Sequence, residues 1–193
     1  TINNLATINL HRSRYAQAEA LSTESLALYR ILGDERGIGW NLQRLGAIAR
    51  DRGEYERAST YYQECKLLFE KLSNQADQAS LLFDLGELAR HQDEDEQAEA
   101  YYQAGLTLAR ELGNKKEIAN LLDRLSIIAC RQGRYPPATT FSDQSVTLQR
   151  EIGNRAGLSE ALHHRGQIAL AEGRYSVAGR YFSQSLQITR QFG

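Results

Sequence analysis

The sequence predicts an all-α fold, a solenoid of antiparallel helical hairpins, and three observations predict it. The chain repeats itself every 40 residues. Within each period the apolar and small residues fall at i, i+3, i+4 and i+7, which is one face of an α-helix. Between these stretches stand glycine, Asp, Asn or Ser at fixed places, where one helix ends and the next is capped. Such self-similarity is the signature of stacked supersecondary units, each unable to bury its apolar face alone.

Segments 32–71, 72–111, 112–151 and 152–191 align without a gap, and residues 1–31 fit the last part of an earlier, truncated copy. One solenoid over residues 1–193 is therefore expected. In the first helix of each copy (helix A), Leu42, Leu45, Gly46 and Ala49 recur as Leu82, Leu85, Gly86 and Ala89, then as Leu122, Leu125, Ser126 and Ala129. In the second (helix B), Ala58, Tyr61, Tyr62 and Cys65 recur as Ala98, Tyr101, Tyr102 and Gly105, with Ala138, Phe141, Ser142 and Ser145 after them, and Ala178, Tyr181, Phe182 and Ser185 last. Small residues at the closest contacts let two helices approach, and the aromatic fills the space that remains.

The turns follow the same register. Gly53, Gly133 and Gly173 stand between helix A and helix B, with Asp93 in their place in the third copy and Ser13 in the first. A left-handed residue is expected there, which Ser13 fits least well. The other junction reads Leu32-Gly33-Asp34, Leu72-Ser73-Asn74, Leu112-Gly113-Asn114 and Ile152-Gly153-Asn154, a stop followed by a cap. Pro136 and Pro137 fall in the first turn of a helix B, where a missing amide hydrogen costs little.

Composition limits the function. The 193 residues carry 23 basic and 24 acidic side chains, so there is no basic excess of the kind that holds nucleic acid. No apolar run is long enough for a membrane span and no signal peptide opens the sequence, so a cytoplasmic location is expected. Cys65 and Cys130 lack the spacing of a disulfide framework or a metal site and are expected to be reduced. His163 and His164 are adjacent on a helix, so they diverge by about 100 degrees and cannot share one ion. The only phosphate-loop fragment, Gly113-Asn114-Lys115, lies in a helix junction. Asp93 to Glu96 lacks calcium-loop spacing and reads either as a solvated turn or as a docking patch. Charge is uneven along the chain: residues 72–111 hold two basic and nine acidic side chains, and residues 112–193 eleven and six. No catalytic constellation, cofactor or metal is expected.

At the recurring Leu, Gly and Ala of helix A, and the Ala, aromatic and small residue of helix B, the sequence resembles the tetratricopeptide repeat (TPR) family across the whole chain. The departures are regular: Leu42 replaces the family's early tryptophan, Ala49 its helix-A tyrosine, and Arg110 and Arg150 its closing proline. The 40-residue period is similar to the long-repeat subclass found in kinesin light chains, Pins-type polarity adaptors and the helical arms of bacterial signalling ATPases and transcription regulators.

The resemblance implies a right-handed α-α superhelix, the TPR solenoid, with a concave side lined by helix A. The groove residues it implies are Trp40, Gln43, Arg44, Ala47 and Arg50 in the second copy, and Phe83, Asp84, Glu87 and Arg90 in the third. Asn120, Asp123, Arg124, Ile127 and Arg131 follow in the fourth, and His163, His164 and Gln167 in the fifth. That mixture of charged, aromatic and aliphatic groups suits a protein or peptide partner better than a small molecule. Trp40, the only tryptophan, reads either as an exposed interface anchor or as a local core residue over the preceding junction. Arg44 and Arg124 are expected to contribute charge recognition. The Lys and Asn pattern by which some family members clamp a terminal carboxylate is not reproduced here.

The function expected is a non-catalytic protein- or peptide-binding scaffold; the alternative is a ligand-sensing regulatory arm of a larger signalling ATPase or transcription regulator. Thr1 enters a helix A past its cap position, and Phe192 and Gly193 occupy the positions of Leu32 and Gly33 that open a sixth copy, so continuation at both ends is expected. Tyr181, Leu186 and Ile188 are then expected to lie open on the last helix B, allowing weak homodimerisation through the C-terminal hairpin.

Overall fold

The computed structural model describes residues 15–190, which form nine α-helices. They are α1 (Tyr15–Leu32), α2 (Glu35–Asp51), α3 (Tyr55–Lys71), α4 (Gln75–His91), α5 (Asp95–Glu111), α6 (Lys115–Arg131), α7 (Tyr135–Glu151), α8 (Arg155–Ala171) and α9 (Tyr175–Arg190). Even-numbered helices are the A helices and odd-numbered ones the B helices of the sequence register. The fold is an all-α helical repeat solenoid, with no strand among the described residues. The described residues form two compact units that divide between Ala98 and Glu99. The turn at Ser13 and the residues Thr1, Phe192 and Gly193 lie outside the described residues.

The A helices begin on side-chain caps. Asp34 accepts from the Gly37 amide at 3.0 Å, Asn74 from Ala76 and Asp77 at 3.1 and 3.2 Å, Asn114 from Glu117 at 3.2 Å and Asn154 from Gly157 at 3.3 Å. Each bond satisfies a first-turn amide that has no partner inside the helix. The ends are set by left-handed residues. Gly53, at φ 77°, lets its own amide reach the Arg50 carbonyl at 2.9 Å and the Glu54 amide reach Ala49 at 2.8 Å. The same conformation is imposed on two side-chain-bearing residues, Ser73 at φ 51° and Asp93 at φ 59°. Pro136 and Pro137 lie in the first turn of α7.

Inside residues 15–98, the core is built from Leu26 of α1, Leu42, Leu45 and Ala49 of α2, Ala58, Tyr62, Cys65 and Phe69 of α3, and Leu81 and Leu88 of α4. Glycine decides how closely α2 and α3 approach: a methyl group on Gly46 would stand 2.4 Å from the ring of Tyr62, which has no exposed surface. The Cys65 thiol is turned inward to the Gly39 carbonyl at 3.3 Å, and burial pushes its pKa well up. Both cysteines are free thiols.

Residues 99–190 repeat the plan with polar replacements in the core, Ser142 at the position of Tyr62, Gln149 at that of Phe69 and, most markedly, Arg165. Gly166 faces Phe182 as Gly46 faces Tyr62, and Val146, Ala161 and Leu162 form a core with Leu158, Tyr181 and Ile188 packed against it. Arg165 stands where the register places Leu45 and Leu125, and it is 3% exposed. Its Nε donates to Asp143 Oδ1 at 2.7 Å and its guanidinium lies over the Tyr181 ring, 5.1 Å from the centroid. Of the three residues expected to lie open on the last helix, only Leu186, at 49% exposure, is exposed. Tyr181 and Ile188 pack inward because α9 is folded against α8.

Candidate functional site

The A helices carry a face of polar and aromatic side chains opposite their apolar stripe, and the 40-residue period puts matching positions of neighbouring A helices side by side. In residues 15–98 this juxtaposes α2 and α4. The Trp40 indole N–H donates to Asp77 Oδ1 at 3.0 Å. Arg36 Nε donates to the other oxygen of the same carboxylate at 2.9 Å, and its guanidinium stacks 4.5 Å from the indole centroid. One carboxylate thus fixes both partners of a cation–π pair. Trp40 is 40% exposed and bonded forward to α4, not packed as core over the preceding junction.

A second cluster lies one to two turns further along. Gln43 Nε2 donates to Ser80 Oγ at 2.9 Å and to Asp84 Oδ2 at 2.6 Å, and Arg50 Nη1 reaches Asp84 Oδ1 at 3.2 Å. Burial pushes the Asp84 carboxyl above the ordinary carboxylate range, against the opposing pull of Arg50 and Gln43. Burial alone would lower Arg50, but Tyr62, Asp84 and Asp51 outweigh it and hold the guanidinium more firmly charged. Arg44 is lowered by burial, beside Tyr29 of α1. Arg90 pairs with Glu87 at 2.9 Å, and Ala47 and Phe83 are half-buried.

In residues 99–190 the pattern recurs between α6 and α8. His164 Nδ1 lies 2.9 Å from Asp123 Oδ2, which also takes Arg124 Nη1 at 3.3 Å. Gln43 to Asp84 and Asp123 to His164 occupy the same pair of register positions, 41 residues apart. Asn120 accepts from Gln149 Nε2 at 3.0 Å, which turns it toward α7. Ile127 is half-buried, while Arg131, His163 and Gln167 are exposed. The His163 ring lies 5.4 Å from that of Phe182 and 5.9 Å from that of His164.

The structure therefore brings Trp40, Gln43, Arg50 and Asp84 into one surface, and Asp123, Arg124 and His164 into another. Arg36, Asp77 and Ser80 complete the first and were missed by the sequence reading. Their signal was present, since Arg36 and Asp77 are opposite charges at the same 41-residue offset. Among the described residues no group of three or more His, Cys, Asp or Glu could hold a metal ion, and no helix is long and apolar enough to cross a membrane.

The family model described as "Tetratricopeptide repeat" matches residues 1–71, 38–111 and 117–191. No curated protein matches the sequence. Among solved structures, BtubC (BKLC) from P. vanneervenii shares 17% identity, with 98% of this chain and 79% of that one covered and a TM-score of 0.79. A Rap protein complexed with Competence and Sporulation Factor shares 14% identity over 98% and 63% of the two chains, at a TM-score of 0.78. A kinesin light chain of Podosopora anserina with nearly identical TPR-like repeats shares 12% over 98% and 94%, at 0.71. The chain thus spans less than two thirds of that Rap protein, and at these identities the likeness is one of fold.

Proposed function

We propose that this chain, which belongs to the tetratricopeptide repeat family, is a non-catalytic scaffold that binds a protein or peptide on the polar and aromatic face of its A helices. The observation that carries this reading is the Trp40 platform. An indole 40% exposed, with its N–H already satisfied by Asp77 and its ring stacked on Arg36, offers apolar contact area at little further entropic cost. The Gln43, Asp84 and Arg50 cluster beside it is internally satisfied, so it fixes the shape of the surface more than it contributes charge. A fold-level neighbour, the Rap protein, is found in complex with Competence and Sporulation Factor, which favours a surface of this kind taking a partner. Exposed Leu186 and Tyr175 on α9 support weak pairing of two copies as part of the same reading.

Arg44 and Arg124 are poor places to test this. The first is desolvated and the second pairs with Asp123, so reversing their charge would disturb packing. Trp40→Ala is the cleaner probe. Affinity capture with the intact protein, then calorimetry with a recovered partner, should show Trp40→Ala weakening binding by about 2 kcal/mol or more with unchanged helicity. Unchanged affinity would remove this surface from consideration.

A further inference from the structure

We propose a second docking site, on the B helices of residues 99–190: the cleft between the C-terminal half of α5 and α7, whose occupant is an acidic, amphipathic segment of a partner protein. The 40-residue register exposes it. Between α1 and α3, Arg30 Nη2 bonds Glu64 Oε1 at 3.0 Å and ties the two B helices together. The same two positions, 80 residues on, are Arg110 and Gln144. The guanidinium is kept and the carboxylate is replaced by an amide. Arg110 is exposed and has no ion pair among the described residues.

At the N-terminal ends of the B helices the tie is kept in both units. Glu19 takes Arg52 at 2.7 Å and Arg57 at 2.6 Å in the first unit, and its counterpart Glu99 takes Arg134 at 2.6 Å in the second. Beside Arg110 lies an open cleft of about 590 Å³ whose apolar lining is Ile118, Leu122 and Leu148. Its walls are more apolar than their sequence suggests. Thr140 and Thr147 donate their hydroxyls to the Pro136 and Asp143 carbonyls one turn back, at 3.0 and 2.8 Å, which leaves their methyl groups for contact.

Charge selects the occupant. Asp143 borders the cleft, but its carboxylate is committed to Arg165, so Arg110 is the unsatisfied charge there. Residues 99–193 hold 12 basic and 8 acidic side chains, a net of +4, so the unit that holds the cleft complements an acidic segment in charge. The cleft is open along its length, so it suits apolar side chains of a polypeptide lying along α7, with a carboxylate reaching Arg110, better than it suits an enclosed small molecule. Ile118 and Leu122 of α6 belong to its apolar stripe, so the site uses none of the polar and aromatic A-helix residues of the face described above, and it stands or falls independently of the function proposed there.

The test uses the full chain, isotopically labelled, and three short synthetic peptides of equal leucine content whose remaining residues are Glu, Gln or Lys. The Glu peptide is expected to bind tightest and to shift the amides of Arg110, Ile118, Gln144 and Leu148. Arg110→Gln should weaken it by about fivefold, the scale of one exposed ion pair. Gln144→Glu, which recreates the Arg30–Glu64 pairing, should weaken it similarly while leaving the melting temperature unchanged or higher. Trp40→Ala should leave it unaffected. Preference for the Lys peptide, shifts confined to other helices, no binding by any of the three, or full affinity in both Arg110→Gln and Gln144→Glu would overturn the proposal. Loss of binding in Trp40→Ala would overturn it too, by assigning the peptide to the A-helix face.

Discussion

The turns concentrate the residue-scale energetics. Each of the eight A-to-B and B-to-A turns among the described residues holds one residue at positive φ, and glycine supplies it at six of them, between φ 65° and 77°. Ser73 and Asp93 hold the same conformation with a Cβ that crowds the following carbonyl, at a cost of about 1 kcal/mol each. Part of that cost would be recovered by glycine, less the entropy glycine adds to the unfolded chain. Ser73→Gly and Asp93→Gly are each expected to stabilise by about 0.5 kcal/mol, and Gly53→Ser to destabilise by a similar amount, as read from urea midpoints. A lowered midpoint for either glycine variant would show that the Ser73 or Asp93 side chain stabilises its turn more than its backbone strains it.

At the scale of elements, a hairpin is held by a small residue on helix A and a ring on helix B. Gly46 is buried against Tyr62, and the ring has no exposed surface. Gly46→Ala forces the two helices apart or the ring off its rotamer, and overpacking of this kind costs about 1–3 kcal/mol. Gly166→Ala against Phe182 is the matching experiment in the other unit, where the ring is half-buried and can yield, so the loss should be smaller. Thermal melts of both variants check the order. Equal losses would mean that ring burial does not set the cost. Ala58, Ala98, Ala138 and Ala178, all 2% exposed or less, mark the neighbouring close contacts.

Over the whole molecule, stability in a repeat protein is distributed through neighbour contacts, so helices with fewer buried side chains open first. Within residues 99–190, α6 buries eight side chains, including Leu121, Leu125 and Ile128, whereas α9 buries Ala178 and Ser185. Amide hydrogen exchange should therefore be faster in α9 than in α6 by about tenfold or more, with α8 between them. Uniform protection across the three helices would show that they open as a single cooperative block.

The sequence by itself determined the helices, their order and their ends. Those features rest on local rules: a cap two or three residues from the amide it satisfies, a left-handed turn residue, an apolar stripe with helical spacing. A 40-residue period states each rule four times over. The sequence also placed Trp40, Gln43, Arg50, Asp84, Asp123 and His164 on the A helices. What it could not show was which of them are already committed. Gln43 bonds Asp84 and Asp123 bonds His164 across 41 residues, and such pairs form only when stacking brings neighbouring A helices within hydrogen-bond reach. Tertiary packing likewise decided that Arg165 would be buried at a leucine position, with Asp143 as its counter-charge. It also decided that Arg110, whose counterpart Arg30 bonds Glu64, would face Gln144 beside an open cleft with no ion pair among the described residues. Backbone conformation is set by neighbours in the chain, but the burial and pairing of a charge are set by neighbours in space.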